Sequence, residues 1–381
     1  MDIKTCQAKI IFFTVLILLL VHSKAFSVSE AGVLCLTFPP GARAAGMGEA
    51  YTAISNDALA PYFNPAGLIS FRYVAGEIFY RKPYWAFWDD VYHFYFGGTV
   101  GLGGFGTIGS SFTYFSFGEQ ILTDVSGPEE KGRFSSYDWA LSFCYARKLT
   151  QNMSIGGNLK IIQSNLAPTI GIGPEEIISK TSSWAIDLGF LYRGLLPQLT
   201  IHDRMDEFAN LRKFVMNRIP TGLSFGLCIQ NMGPKISYID VAQADPLPQT
   251  LRIGLAYNVF DMDLLGVVLA CDAEKLLVRR HKGGSSDSCP KSLFTSWVDQ
   301  SFKDEIKQMT LHLGAEVTTY YVFTLRLGLI YNEVDRFRSW ALGVGLGPET
   351  ARFNFAYLPK SVDSKYEPDE SESRFSLSVA F

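Results

Sequence analysis

Histidine and cysteine are the residue types in this chain best suited to binding a metal or acting as a nucleophile. The histidines have no H-E-x-x-H or other ligand spacing, and the cysteines form no C-x-x-C pair. Three of the cysteines (Cys144, Cys228 and Cys271) fall inside predicted strands, which also disfavours disulfides. The five histidines are His22, His93, His202, His281 and His312, and the remaining cysteines are Cys6, Cys35 and Cys289.

Two further patterns could indicate enzymatic chemistry. The run Gly101–Gly106 superficially resembles a phosphate-binding loop, but Thr107–Ser116 after it alternates like a strand, whereas such a loop needs a following helix. No G-x-S-x-G motif occurs, and His312, the best candidate for a Ser/His pair, has no identifiable partner. We therefore predict that the protein is not an enzyme, with no catalytic residue, no metal and no cofactor.

Composition narrows the class of protein. The chain has 381 residues and a net charge of −3, which gives no indication of nucleic-acid binding. Aromatic residues make up 14% and charged residues only 19%, and mean hydropathy is +0.11. After residue 21, however, no apolar run is long enough for a membrane helix. High apolar content without helical spans is typical of a membrane protein built from strands.

The first 25 residues have the features of an export signal. Lys4 and Lys9 precede an apolar run from Ile10 to Val21, which is too short to span a membrane comfortably. Ser23-Lys24-Ala25 then offers a small-x-small cleavage site. We predict a cleaved signal peptide at 1–25 and export to the outer membrane of a Gram-negative type of cell.

Alternating side chains recur along the chain from residue 70 onward. Leu251, Ile253 and Leu255, for example, alternate with Arg252 and Gly254, and a strand places such sets on opposite faces. An arginine facing lipid at mid-membrane would cost about 2–4 kcal/mol, so the charged face must be the lumen. About fourteen such segments, an even number, predict an all-β, antiparallel transmembrane barrel over 70–381. The candidate strands are 70–80, 91–98, 105–116, 134–147, 152–165, 181–193, 219–232, 249–260, 263–275, 308–319, 322–333, 338–347, 350–358 and 373–381.

The final strand must pair with the first to close a barrel. Phe375, Leu377, Val379 and Phe381 share one face of it. This amphipathic strand with an aromatic carboxy-terminus resembles the recognition signal of outer-membrane barrels. We therefore expect outer-membrane lipid and the barrel assembly machinery as partners. A soluble edge strand could look the same in isolation, and the repetition of the pattern along the chain favours the barrel.

The connections alternate between short and long, as expected for a barrel whose Phe381 end faces the periplasm. The exception is 194–218, a long insert on the short-turn side, which suggests either a contact with a partner or the membrane surface, or a lid packed on the barrel mouth. The long outer loop 276–307 has apolar residues at helical spacing, which indicates one small helix. Short turns are expected at 148–151, 261–262, 320–321 and 348–349, and long loops at 117–133, 166–180, 233–248, 276–307 and 359–372.

Residues 26–69 lack strand alternation. Small and apolar residues dominate there, and Gly46 and Gly48 permit close backbone approach. We predict a compact helical hatch, or plug, inside the barrel. A short periplasmic domain or a flexible lead-in is the alternative.

Two sequence blocks resemble a known family. Arg43, Gly46-Met47-Gly48, Asp57 and Asn64-Pro65-Ala66-Gly67-Leu68 resemble the amino-terminal motif of the PorV/PorQ family, and the Asp and Asn-Pro-Ala-Gly-Leu part is shared with FadL-like hydrocarbon transporters. A second block resembles PorV/PorQ members specifically: Asn231, Gly233, Pro234, Lys235, Tyr238, Pro248 and Arg252. The insert at 194–218 departs from the family, whose members usually make a shorter turn there.

The resemblance implies one of two functions. PorV kinship implies an outer-membrane component of type IX secretion that binds the carboxy-terminal signal domains of secreted cargo and contacts translocon components. FadL-like kinship implies a channel for hydrophobic small molecules gated by the hatch. The inward faces are rich in Gly, Ser, Asn, Asp and Arg. Such a polar lumen favours protein cargo over a channel for hydrophobic molecules. The candidate contact surface is then a set of outer-loop residues: Phe117, Ile121, Leu122, Ile170, Ile172, Tyr238, Leu293, Phe294 and Trp297.

Overall fold

A computed structural model gives the arrangement of most of the chain. The predicted signal peptide 1–25 and most of the 194–218 insert lie outside the residues that it describes. The described residues are 31–70, 74–83, 89–124, 127–166, 170–172, 175–177, 180–196, 222–238, 244–261, 265–279, 281, 285–298, 301–334, 337–348, 350–359 and 371–381.

Fourteen antiparallel strands close into a barrel, which confirms the predicted fold. Neighbours along the chain pair with each other, and a small separate sheet lies between the fifth and sixth barrel strands. The barrel strands are β1 (Val74–Arg81), β2 (Val91–Gly101), β3 (Thr107–Asp124), β4 (Gly127–Lys148), β5 (Met153–Asn165), β8 (Lys180–Arg193), β9 (Gly222–Met232), β10 (Thr250–Asp261), β11 (Leu265–Leu276), β12 (Thr310–Thr319), β13 (Phe323–Asn332), β14 (Phe337–Leu346), β15 (Ala351–Leu358) and β16 (Glu372–Ala380), and the separate sheet pairs β6 (Ile170–Ile172) with β7 (Glu175–Ile177).

The alternation in sequence becomes the two faces of the wall. On β13, Leu325 and Leu327 point outward and are exposed, whereas Thr324 and Arg326 point inward and are buried. This is the reverse of a water-soluble protein, in which large apolar side chains are usually inside. An apolar outer face and a polar inner face suit a wall surrounded by lipid.

Strands β1 and β16 close the barrel. They pair from Ala75 and Ala380 to Arg81 and Arg374 without a register break. Two backbone hydrogen bonds between Val74 and Phe381 extend this pairing to the end of the chain. No backbone N–H or C=O edge is therefore left open at this seam, as a membrane barrel requires.

The connections on the outer-loop side of the barrel differ from expectation. The expected loop 117–133 is mostly strand, because β3 and β4 continue as a hairpin with two residues, 125–126, between them. Arg133 on β4 forms a cross-strand ion pair with Glu119 on β3 and a second ion pair with Glu130 on its own strand. The 276–307 loop holds two short helices, α3 (Cys289–Thr295) and α4 (Phe302–Lys307), where its spacing indicated one.

The segment before β1 lies within the lumen. It contains helices α1 (Ala42–Gly46) and α2 (Ala60–Phe63), with 3-10 turns at Leu34–Thr37 and Pro65–Ser70. Most of its residues are buried, and they contact inward-facing strand residues. Among the described residues, no helix is long and apolar enough to cross a membrane.

Candidate functional site

The amino-terminal segment rests against glycines of the barrel wall. Nine barrel strands each present an inward glycine at which an added Cβ would approach an atom of this segment closely. At Gly254 the Cβ would also meet the side chain of Asp272. Three pairs of these glycines are direct cross-strand partners. The wall thus has a glycine belt that lets two backbones touch, and its members are Gly97, Gly109, Gly156, Gly189, Gly226, Gly254, Gly314, Gly328 and Gly343.

Gly46-Met47-Gly48 forms the tightest part of this contact. A Cβ at Gly46 would lie 2.9 Å from the Cα of Gly343 on β14, and one at Gly48 would lie 2.6 Å from the amide nitrogen of Leu329 on β13. Gly48 also has φ of +60°, a conformation that side chains with a Cβ rarely adopt. Met47 is fully buried between them. Both glycines of the family motif are therefore required by close approach.

Asn64-Pro65-Ala66 forms a second contact on the opposite strands. The Asn64 side-chain amide donates to the carbonyls of Thr52 and of Phe190 on β8, each at 3.0 Å. The Ser154 hydroxyl on β5 donates to the Ala66 carbonyl at 2.9 Å. One asparagine thus ties two turns of the segment to each other and to the wall.

Arg43 and Asp57 form a buried charged cluster with the wall. The Arg43 guanidinium binds both carboxylate oxygens of Glu316 on β12, at 2.9 and 2.8 Å. It also donates to Asp57 at 3.1 Å. Burial by itself would lower the pKa of Arg43, but the neighbouring Glu316 carboxylate raises it well above its usual value. Glu316 in turn accepts from Arg326 at 2.6 Å, so one carboxylate bridges two guanidinium groups and Asp57 supplies the second negative charge.

Two further wall residues hold the segment. Asp272 on β11 accepts from the backbone amides of Tyr51 and Thr52, both at 2.8 Å. Arg374 on β16 donates to Glu49 at 3.0 Å. Charged groups from β11, β12 and β16 therefore bind the same short segment, and buried pairs of this kind are costly to break on one side only.

His312 and Arg252 also face the lumen. The ring of His312 has Nδ1 2.8 Å from the Gly48 carbonyl and Nε2 3.2 Å from Glu274. Arg252 pairs with Glu274, and its guanidinium lies over the Phe63 ring at 5.4 Å. Both side chains are thus structural contacts of the amino-terminal segment. Among the described residues, no group of three or more His, Cys, Asp or Glu side chains could hold a metal ion.

The second sequence block lies at the outer-loop end of the barrel. Asn231 has φ of +59°, and its side chain accepts from Lys160 at 2.7 Å and donates to the Pro248 carbonyl at 2.9 Å. Lys235 donates to the Ser286 carbonyl at 2.6 Å, while Pro234 is exposed between Gly233 and Lys235.

Tyr238 belongs to the same end of the barrel, where its hydroxyl donates to Ser164 at 2.9 Å. Burial raises the pKa of Tyr238 to about 12. Together these contacts bind the loop after β9 to its neighbours and keep it folded over the mouth.

The predicted assembly residues lie on the lipid-facing side. Phe375, Leu377 and Phe381 are exposed, and Val379 is half-buried. Their role as an assembly signal stays a prediction, as do the domain boundaries 26–69 and 70–381. In the structure the first strand begins at Val74.

Two small cavities lie in the part of the protein that the structure describes, one between the amino-terminal segment and the wall and one among the outer loops. One of about 50 Å³ lies where Arg43 and Asp57 meet β1 and β16, and another of about 10 Å³ lies beside Asn231 and Leu247. Ligand pockets usually measure about 300–1,000 Å³. Either space is therefore suited to a water molecule or a few of them, and neither holds a hydrocarbon in this conformation.

Sequence reasoning identified one side of this interface and missed the other. Arg43, Gly46, Gly48 and Asn64 were recognised, but Glu316, Asp272 and the glycine belt were not. A signal was present: Gly189, Gly254 and Gly328 each occupy the inward set of an alternating strand. An inward glycine repeated on strand after strand indicates a backbone lying against the wall.

Comparison with known proteins gives one family match and several solved structures of similar architecture. The family model described as "Type IX secretion system protein PorV" matches residues 23–282. Among solved structures, the toluene transporter TbuX of Ralstonia pickettii is 12% identical, with 90% of this chain and 98% of that chain covered and a TM-score of 0.46. A Pseudomonas aeruginosa FadL homologue is 11% identical, with 90% and 98% covered and a TM-score of 0.47. No curated protein matches the chain.

Proposed function

The chain belongs to the PorV family of type IX secretion system proteins, and from this premise we propose that it binds secreted cargo. The barrel resides in the outer membrane. In this proposal it recognises the carboxy-terminal signal domains of exported proteins and delivers them to translocon components. The segment 26–69 acts as a permanent plug, and residues 1–25 are removed as a signal peptide during export.

The filled lumen is the observation that most supports protein cargo over a small-molecule conduit. The plug backbone touches the glycine belt, and Arg43 is bound to Glu316 in the wall. The cavity where Arg43 and Asp57 meet β1 and β16 has a volume of only about 50 Å³. A hydrocarbon channel would require these contacts to break at each passage. A shuttle that uses the outside of the barrel leaves them intact.

The β3–β4 hairpin offers an outer surface for such a partner. Pairing with β2 ends at Phe117, and pairing with β5 ends at Tyr137. Residues 118–124 and 127–136 therefore project beyond the neighbouring strands as an arm. Its Ile121 is exposed, and its Arg133 pairs with Glu119 and Glu130 at the surface.

Other predicted contact residues are less available. Phe117 and Tyr238 pack against a buried cluster that includes Val33 and Ile236, so part of the loop surface folds over the mouth. The side chains of Ile170 and Ile172 lie outside the described residues. Leu122 and Leu293 are half-buried, and Phe294 is exposed.

A pull-down from cells tests the proposal. The tagged barrel is compared with a variant in which the arm is shortened to a tight turn between Phe117 and Ser136. A matched control, Gly104→Val, changes the opposite end of the barrel, where an added side chain meets nothing within 4 Å. We expect the arm variant to lose secreted proteins that share a carboxy-terminal domain, while the control retains them. Recovery of lipid or fatty acid without protein would instead support the channel.

A further inference from the structure

The helices of the outer loop 277–309 bury polar side chains and expose large apolar ones. On α3 and the turn that continues it to Val298, Ser292 and Ser296 are 4% and 2% exposed, whereas Phe294 and Val298 are 77% and 68% exposed. Residues four apart share a helix face, so the polar face is packed inward and the apolar face points away from the protein. Helix α4 also buries a charged residue, because Glu305 is fully buried, and it exposes Ile306 beside Lys303 and Asp304.

The buried polar face has specific partners within the chain. The Ser292 hydroxyl donates to the side-chain oxygen of Gln249 at 3.0 Å. Asp287 accepts from Lys291 and from Thr295, both at 2.7 Å. The orientation of α3 is therefore set by hydrogen bonds, and its apolar face is left for contact with something outside the chain.

Lys275 shows on which side of the wall these helices lie. On β11, Leu269, Cys271, Ala273 and Lys275 alternate with the inward Asp272 and Glu274, so Lys275 belongs to the lipid-facing set. Its ammonium group binds Glu305 at 2.5 Å and lies 5.1 Å from the centre of the Trp297 ring. Lys275 and Glu305 are both buried by this contact. The loop helices thus sit at the outer rim on the side of the wall that faces lipid.

We propose that Phe294, Val298 and Ile306 form an interfacial anchor that inserts into the membrane at the outer rim of the barrel. The occupant of this face is lipid, because the face continues the apolar outer surface of the wall, where Leu311 and Leu313 on β12 are exposed beside β11. Short helices with an apolar face toward the acyl chains are a common interfacial element. Tryptophan, here Trp297, is enriched at that depth. The Lys275–Glu305 pair acts as the latch that holds the anchor against the wall.

Spin-label accessibility in lipid vesicles tests the anchor directly. In a background carrying Cys271→Ala and Cys289→Ser, a nitroxide is attached through Phe294→Cys or, separately, Val298→Cys. Leu327→Cys on the lipid-facing wall and Glu129→Cys on the exposed arm are the two references. We expect both anchor labels to favour oxygen over a water-soluble nickel complex several-fold more than the Glu129 label does. Accessibility equal to that of the Glu129 label would overturn the proposal.

The latch is tested in the same vesicles. Glu305→Ala should move the Phe294 label to the aqueous value, because Lys275 then loses its buried partner. Lys307→Ala removes the neighbouring ion pair with Glu333 and should leave the label in lipid. An unchanged Phe294 label in the Glu305→Ala variant would show that the latch does not hold the anchor. Heat modifiability on a gel verifies that each variant is folded.

Discussion

The two faces of the barrel wall impose different demands on the sequence. On the inner face, Gly328 lies directly against Gly48, and Glu316 binds Arg43. Each of these contacts needs a particular residue opposite a particular partner. On the outer face, Leu325, Leu327 and Leu377 have only to be apolar, since lipid fits around any of them. The inner face therefore specifies one position for the plug. The outer face requires only that its side chains are compatible with lipid.

This difference predicts where substitutions should matter. Inner-face changes should be costly even when they are small, and outer-face changes should be costly only when they introduce charge. Phe294 on α3 and Ile306 on α4 follow the outer-face rule, because both are exposed and apolar while Glu305 is buried against Lys275.

The largest effect is expected from Gly48→Val. The added side chain would meet the backbone of Leu329, and a β-branched residue would be forced to a φ of +60°. Overpacking and backbone strain together should cost about 3 kcal/mol or more. We expect the plug to loosen, with less heat-modifiable protein and a greater permeability of vesicles to small solutes.

Gly104→Val is the control for this change, because Gly104 has open space around it. Equal behaviour of the two variants would show that the plug does not depend on the glycine contact, and the distinction between the faces would fail at its strongest point.

Arg43→Gln should give the next largest effect. The change leaves Glu316 with Arg326 alone and removes the ion pair with Asp57. Loss of one partner from a buried pair typically costs about 3–5 kcal/mol. Because Glu316 keeps Arg326, we expect the low end of that range, measured as a fall in the free energy of unfolding in detergent. Arg133→Gln on the exposed arm removes ion pairs at a site open to water, and we expect no measurable loss there. A double-mutant cycle with Glu316→Gln should show strong coupling, and additive effects would contradict the direct contact.

Leu377→Arg should have a smaller effect. It tests whether an outer-face position requires only an apolar side chain. A basic residue facing lipid costs about 2–4 kcal/mol at the midplane and less toward the interfaces. We expect less folded barrel in membranes, while Leu377→Ile leaves the amount unchanged because both side chains are apolar. If Leu377→Ile were as damaging as Leu377→Arg, the outer face would also demand specific packing.

Much of the architecture follows from local pattern. Strand alternation has a period of two and can be recognised within ten residues, so the fourteen strands and their inward and outward sets were predictable. The family blocks also marked Arg43, Gly48 and Asn64 before any contact was known. The extent of the β3–β4 hairpin was not predictable, because polar residues such as Glu119 and Arg133 have the composition of a loop.

The sequence by itself determined the class of fold, the side of the wall to which each strand residue belongs, and half of the plug interface. Only the tertiary structure decided the partners, since Arg43 and Glu316 are 273 positions apart and nothing local joins them. The same holds for Lys275, whose lipid-facing position looks unfavourable until Glu305 covers it. A strand pattern records the face of each residue, but barrel closure determines which residues from distant strands and loops meet.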